Sequence, residues 1–471
     1  MAYHTRACCG DFAIIADIFM TEMDQDSINK LPGQWFDDSS KLQQSFAKLY
    51  NSPEISDLII HVGKKSYYAH RLFLALASDV FKVMLTSSKW KDSRQEEIRL
   101  EEPYSESVFG EFLQYMYTGH IYITTSSAIP LLMLADKYNV LNLKEACQSF
   151  MMKSFVNPAR QNHVLSWYQY SRRCAQHTKL ESFCFTFIQN NMDIIIDSPD
   201  WAILEKETLL SILKSSDLII TSEFRLYNAV EQWLLNPSNV KNIRQNLREI
   251  LPHVRFPMML PEQLITIENR KVVVDNWFLY MEHLMKAYRF HAVSQTARQK
   301  VEFKEDGEEY THRNYTDSEH GVCTTINIEN YSKRKPFEYS CHIETAKTGS
   351  SVDRDGKHRW DLQFWPKGQQ KPALTEFGNA YLLQTDNVTL ALDPLGRLEE
   401  AFKIVIAIQG RQNDMNYIKK VHQYTHDFGV KMMFRIRDLF CMHELTAGDS
   451  QYLHNDALTV KLIIRPCKPS R

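Results

Sequence analysis

The spacing of apolar residues changes twice along this chain. Residues 1–38 hold no sustained period and contain Pro32-Gly33, which marks a poorly ordered lead-in. Asp38-Ser39-Ser40 then supplies capping side chains for a helix. Its apolar positions Leu42, Phe46 and Leu49 step by four and three and so share one face. Asn51-Ser52-Pro53 ends it. Residues 57–62 form a short β-rich run, Gly63-Lys64-Lys65 carries turn chemistry, and residues 66–70 return. An apolar helical stretch follows over 72–85. A strand from Glu97 places Ile98 and Leu100 on one face. Val108, Phe109, Phe112, Leu113, Met116 and Tyr117 recur at helical intervals, and residues 128–138 and 143–152 predict two more helices.

From 155 to 293 the pattern is almost wholly helical, anchored by Trp167, Tyr168, Phe183, Phe187 and Ile188 and later by Leu226, Val230, Trp233 and Leu234. Residues 294–317 are polar and read as a connection. Beyond them the period shortens. Residues 323–328, 338–343, 360–364, 402–408 and 458–464 are β-rich and separated by turn groups such as Lys367-Gly368 and Asp393-Pro394-Leu395-Gly396. Short strands without helical blocks predict an antiparallel β-sandwich.

Length and charge narrow the function classes. At about 150 residues per domain, 471 residues correspond to about three domains. Lys+Arg is 55 and Asp+Glu is 57, a net charge of -2 that gives no support for a general polyanion binder and leaves only a local basic patch open. The 9 cysteines are odd in number and scattered, with Cys8 and Cys9 adjacent, so no disulfide framework is expected and a reducing compartment is the default. The apolar stretch 12–20 is interrupted by Asp17, so neither a secretory signal nor a membrane span is expected. Three glycosylation-type triplets, at Asn314, Asn330 and Asn387, point the other way, although such triplets are common by chance.

No phosphate loop, GxSxG or HExxH is present. Cys341-His342 and Cys441-Met442-His443 lack a second ligand pair at zinc spacing. No enzyme activity, catalytic residue, cofactor or metal is expected. Ser332-Lys333-Arg334-Lys335 reads as a solvated turn, with a nuclear-import or anion patch as the alternative. Nothing reads as a nucleic-acid binder.

Three resemblances give the parts a class. Residues 57–152 resemble a BTB/POZ domain through Asp57, Ala69-His70-Arg71, Ser78-x-x-Phe81-x-x-Met84, Tyr115-Met116-Tyr117-Thr118-Gly119, Ala135-Asp136-Lys137-Tyr138 and Cys147. The helical block resembles the BACK domain that commonly follows it, through Asn228-Ala229-Val230-x-x-Trp233-Leu234 and Val254-Arg255-Phe256-Pro257. The last part is similar to a MATH (TRAF-like) domain through Trp360 to Gly368 and Tyr452 to Val460. The resulting fold class is multidomain α+β: a lead-in 1–38, a mixed α/β BTB domain 39–154, an all-α BACK domain 155–293, a linker 294–317 and an antiparallel sandwich 318–471. The order resembles the galectin-3-binding protein group, whose members are expected to carry a signal peptide that is not found here.

The resemblances imply three recognition surfaces. Leu42, Phe46 and Leu49 would pack in a two-fold BTB interface, with packing of the helix on its own domain as the alternative; Asp57 and Arg71 would form a charged pair near it, or equally stand as a turn residue and a surface residue. Trp90-Lys91-Asp92 is the nearest fit to the hydrophobic-x-Glu step of adaptors that bind the ubiquitin-ligase scaffold cullin-3, with Met84 and Tyr138 nearby, against the alternative that Trp90 only shields the domain from solvent. Phe377, Phe402, Phe428 and Val430, with Tyr424 close by, occupy positions of a client-peptide groove, against the alternative that strand aromatics are core. His70 reads as a structural histidine. The expected function is a non-enzymatic, homodimeric adaptor that brings an unidentified client protein to cullin-3, in the cytoplasm or nucleus. No nucleic-acid or membrane partner is expected. The alternatives are a secreted glycosylated scaffold or adhesion protein and a transcriptional co-regulator.

Overall fold

The computed structural model describes residues 37–157, 162–174, 177–294, 297, 307–336, 338–353, 356–374, 380–398, 400–448 and 450–467, with backbone alone over 371–374 and 380–384. The lead-in 1–36 lies outside these residues. The chain forms two compact units, Met1–Tyr122 and Ile123–Arg471.

In the first unit a helix α1 (Ser39–Lys48) precedes a three-stranded sheet. Strand β1 (Leu58–Val62) pairs antiparallel with β2 (Lys65–Ala69) and parallel with β3 (Glu97–Leu100). Alternation decides the face: Leu58, Ile60 and Val62 are buried, while His61 turns toward Ser66 and Glu97. Gly63 makes the β1–β2 turn at φ +56, where a Cβ would also strike the Glu106 carboxylate. The apolar stretch 72–85 is two helices, α2 (Arg71–Ala77) and α3 (Asp79–Thr86). The break falls at Ser78, extended at φ -147, whose side chain accepts from the Phe81 N–H and caps α3. Helix α4 (Phe109–Thr118) buries Phe109, Phe112 and Leu113 and ends on Gly119 at φ +68. His70 is structural, as its sequence context implies. Its backbone N–H donates to the Tyr117 hydroxyl at 2.9 Å, and its ring nitrogens meet that hydroxyl and the Glu54 carbonyl, each at 3.0 Å.

The second unit begins with α5 (Ala128–Lys137) and α6 (Leu141–Lys153). It continues with α7 (Val164–Arg173), α8 (Thr178–Asn190), α9 (Lys206–Leu213), the two-residue strand β4 (Ile219–Ile220), α10 (Glu223–Leu235), α11 (Ile243–Ile250), α12 (Pro261–Glu268) and α13 (Trp277–Ala292). Strand β5 (Asn314–Tyr315) runs parallel to β4. The expected antiparallel sandwich follows. One sheet has the order β14 (Phe434–Ile436), β11 (Thr389–Pro394), β8 (Lys357–Trp365), β7 (Tyr339–Ala346). The other has β13 (Met415–Asp427), β12 (Ala401–Gln412), β16 (Ala457–Cys467) and β15 (Leu453–His454), with β6 (Cys323–Ile328) also on β16. A short antiparallel pair, β9 (Gln370–Leu374) and β10 (Ala380–Gln384), stands apart.

Trp360, Leu362 and Phe364 of β8 meet Phe402, Ile404, Ile406 and Ile408 of β12 and Leu458, Val460, Leu462 and Ile464 of β16 in the sandwich core. Strand β12 is buried on both faces, since Val405 and Ala407 are also at 0% exposure. The helical block is joined to the sandwich by polar ties. The Asn191 side chain bonds both backbone groups of Ile418, at 2.6 and 3.1 Å, and Lys403 pairs with Asp217.

Residues 308–317, read from composition as the end of a polar linker, are instead built into this unit. Arg313 is buried. Its guanidinium donates to Glu223 at 3.0 Å and to the carbonyls of Leu213 at 2.8 Å and His253 at 2.9 Å. Tyr315 donates to the same carboxylate at 2.6 Å. Burial alone would push the Glu223 carboxyl up; Arg313 and then Arg255 outweigh it and hold the group below the usual carboxylate range.

Candidate interaction surfaces

Helix α1 meets the rest of its unit through few groups. The Gln43 amide donates to the Thr118 carbonyl at 2.9 Å, and Phe46 stands edge-on to Phe73 at 5.2 Å. None of its residues is buried, and Leu42 and Phe46 remain 56% and 38% exposed, with Leu49 half-buried. The same unit exposes Leu72 and Leu76 of α2 and Val80 and Val83 of α3. Among the described residues the apolar face of α1 is therefore largely uncovered.

The expected Asp57–Arg71 charged pair is not made. The Asp57 carboxylate accepts the backbone N–H of Arg71 at 2.8 Å, satisfying a donor that the first turn of α2 cannot pair internally. The guanidinium turns instead to carbonyls: Leu85 at 3.1 Å, Ser93 at 3.2 Å, Asp92 at 3.4 Å, and Gln95. A fork of five donors suits such a cluster of carbonyls. Arg71 thus ties down the stretch that carries Trp90-Lys91-Asp92.

In that stretch Trp90 is 52% exposed and precedes a 3-10 turn, Lys91–Arg94, with Asp92 half-buried. The Ser93 hydroxyl donates to the Trp90 carbonyl at 2.7 Å. Met84 is buried in α3. Tyr138 belongs to the second unit, where it follows α5 and is 2% exposed. Of the four residues expected to face cullin-3, Trp90 presents a large open surface, and Met84 and Tyr138 are core side chains.

The client groove changes more. Phe402 and Phe428 do not line a surface. They are 0% and 3% exposed and pack on Trp360 with ring centroids 5.0 and 5.2 Å away. Period-2 alternation turns Phe402 inward together with Ile404 and Ile406. Tyr424, half-buried against Phe434 at 5.5 Å, and Val430, at 78% exposure, remain accessible. Phe377 lies outside the described residues. Next to Val430 the β13–β14 loop also exposes Met432 and Met433 at 77% and 56%. These two were missed because adjacent methionines in a short loop carry no period.

A cleft of about 840 Å³ opens between the helical block and β13, lined by Phe155, Phe183, Phe187, Tyr417 and Ile418 among others. No sequence pattern announces it, since its walls lie far apart in the chain. The three glycosylation-type asparagines are unequal. Asn314 is fully buried, donating to the Asp217 carbonyl at 2.9 Å and accepting from Arg465 at 3.0 Å. Asn387 is half-buried and bonded to Asp438 at 2.7 Å. Asn330 is exposed in a turn at φ +52. Among the described residues no cysteine forms a disulfide.

Among the described residues, Asp136, Cys174 and His177 bring ligand-type atoms within 4.8 Å of one another; neither Cys341-His342 nor Cys441-Met442-His443 does so with a third group. This cluster was missed in the sequence; the Cys-x-x-His spacing at 174–177 is the feature that could have found it. No described helix is long and apolar enough to cross a membrane.

Comparison with known proteins matches three family models: BTB/POZ domain at 46–155, BTB And C-terminal Kelch (BACK) at 164–269, and BTBD17 TRAF domain at 310–468. BTB/POZ domain-containing protein 17 of Xenopus laevis is 29% identical over 85% of this chain and 84% of its own length. The Xenopus tropicalis protein of that name is 27% identical over 91% of each chain, and the human one 25% over 91% of this chain and 88% of its own. A solved BTB domain of zebrafish PATZ1 aligns with 26% of this chain and 100% of its own, at 22% identity and a TM-score of 0.23. None of the three matching models is that of an enzyme, and the set is that of a protein-interaction adaptor.

Proposed function

We propose, for a chain that strings together a BTB/POZ domain, a BACK domain and a BTBD17-type TRAF domain, a non-enzymatic adaptor that pairs with a second copy of itself, docks cullin-3 and captures a client protein. The observation that supports it is an exposed aromatic on a tied-down backbone. Trp90 is half open to solvent, while Arg71 bonds the carbonyls of Asp92, Ser93 and Gln95. A preorganised aromatic loses little entropy on entering a pocket, and the Asp92 carboxylate would accept polar hydrogens at its rim. The uncovered Leu42 and Phe46 supply the self-association face, and Tyr424, Val430, Met432 and Met433 the accessible client face. Two client sites on one dimer raise the effective concentration of client at the ligase. The absence of disulfides among the described cysteines supports a reducing compartment, cytoplasmic or nuclear.

The test is a pull-down of cullin-3 by the full chain and by Trp90→Ala plus Asp92→Ala. Capture should fall at least about tenfold, the scale of a lost hot spot, with the oligomeric state unchanged. Undiminished capture would remove the assignment. A second reading, a secreted scaffold, is favoured by one observation, the exposed Asn330 acceptor. Glycosidase-sensitive product in the medium, lost with Asn330→Gln, would establish it over the first.

A further inference from the structure

The knot around Asp136 uses none of the surfaces above. Asp136 sits at the end of α5, Lys144 and Gln148 on α6, Tyr170 on α7, Cys174 just after α7 and His177 just before α8. The His177 backbone N–H donates to the Cys174 carbonyl at 3.0 Å. The imidazole is fully buried. Its Nε2 lies 2.6 Å from Asp136 Oδ2, and its Nδ1 lies 2.6 Å from the Gln148 amide nitrogen. The Tyr170 hydroxyl donates to the same Oδ2 at 2.7 Å, and Lys144 Nζ is 2.9 Å from Oδ1. Cys174, half-buried, completes the group.

We propose that Asp136, Cys174 and His177 form a binding site for a single zinc-class transition-metal ion. A carboxylate, a thiolate and an imidazole are three of the donors zinc takes, and a thiol with an imidazole selects against magnesium and calcium. Tetrahedral zinc separates its ligand atoms by about 3.3–3.7 Å, and the three donors here all lie within 4.8 Å of one another. The ion takes the place of the proton now shared by His177 Nε2 and Asp136, and those two atoms part by somewhat under an ångström. The fourth position falls to water.

The second layer accommodates the exchange. With Nε2 on the metal the imidazole carries its proton on Nδ1. Rotation of the Gln148 amide then presents its oxygen where its nitrogen stood. The proton displaced from Nε2 is the one now carried on Nδ1, and the thiol proton leaves to solvent, so the net release is one proton per ion bound. Lys144 opposes the ion, because its ammonium already compensates the carboxylate; it sits at 16% exposure, near enough to the surface to swing out.

Titration of the full chain with Co(II), in a Cys8→Ser, Cys9→Ser background that removes the adjacent thiols, tests the site. A thiolate-to-cobalt charge-transfer band is expected at one equivalent, displaced by zinc. Cys174→Ser should abolish the band while leaving the thermal melt of the metal-free chain in place. Gln148→Ala should weaken binding roughly 10–100-fold, and Lys144→Gln should tighten it. No band, or a band that survives Cys174→Ser, overturns the proposal and leaves the group as a hydrogen-bonded knot. Because His177→Asn removes a buried ring bonded at both nitrogens and puts the fold at risk, the half-buried Cys174 variant carries the decision.

Discussion

Glu223 is a carboxylate with no exposure to water, and the energetics of the second unit turn on its partners. It accepts from Arg313, from Tyr315 and from the Arg255 backbone N–H at 2.9 Å. Removing one partner of a buried pair leaves an uncompensated charge, which costs about 3–5 kcal/mol. Arg313→Met should therefore destabilise the chain by that amount in a denaturant titration, and Glu223→Leu added to Arg313→Met should recover part of it. The same group sets a pH dependence. Its folded carboxyl titrates below its ordinary value of 4.5, so its contribution is complete above that value and is lost as acid carries the folded group through its titration. Two histidines act at higher pH. Burial pushes His358 down to about 4 and, aided by the charges of His320 and Arg465, His312 down to about 3, from an ordinary 6.5. Both favour the folded state above 6.5, and that advantage shrinks as pH falls and the unfolded chain takes up protons. His358→Phe, packed on Phe402 at 5.0 Å, should flatten the fall in melting temperature between pH 6.5 and 4 by roughly a few degrees; an unchanged slope would remove His358 from the account. None of these partners could be read from sequence. Glu223 and Arg313 stand ninety residues apart, and Asp57 and Arg71, which looked paired, each found a backbone group instead.

At the scale of elements, α1 is the one whose stability is least explained by its own unit. Ten residues are too few to hold a helix alone, and here none is buried. Leu42→Ser with Phe46→Ser should convert a dimer to a monomer in light scattering. The fold should survive, since the core of Leu58, Ile60, Leu74 and Phe112 is untouched; a dimer that persists would place the two-fold face elsewhere. Ser78→Ala removes the cap of α3 and should cost about 1 kcal/mol. Ser78 stood in plain view in the sequence, yet the apolar run across it read as one helix, because periodicity does not register a break that preserves the face. In the sandwich, β6, β8, β12 and β16 were legible from their β-branched and aromatic alternation. Strand β13 was not. It lies at the edge of its sheet, and its thirteen residues are mostly half-exposed and polar, so nothing in their hydrophobicity alternates.

At the scale of the molecule, the domain order was readable and the way the last two domains join was not. A polar stretch such as 294–317 reads as a tether, because composition cannot show that Arg313 is buried. With β5 paired to β4, Arg465 bonded to Asn314, and Lys403 paired with Asp217, the TRAF domain has no hinge at residues 308–317 and is held on the BACK helices. On the proposed adaptor reading, a client face on the sandwich would be held in one orientation relative to those helices, which would favour one client geometry over many. It also makes the helical block dependent on the β5 segment and the sandwich. A chain ending at residue 293 would lack Arg313 and Tyr315, two partners of the buried Glu223, and would bare the helix surface now facing Ile418. Such a truncation should melt well below the full chain, by roughly ten degrees or more, given several kcal/mol lost from a domain of this size. Limited proteolysis should cut within the helical block of the truncation while sparing it in the full chain. A truncation that melts with the full chain and resists protease would show that the two domains fold independently, and the fixed client geometry would fall with it.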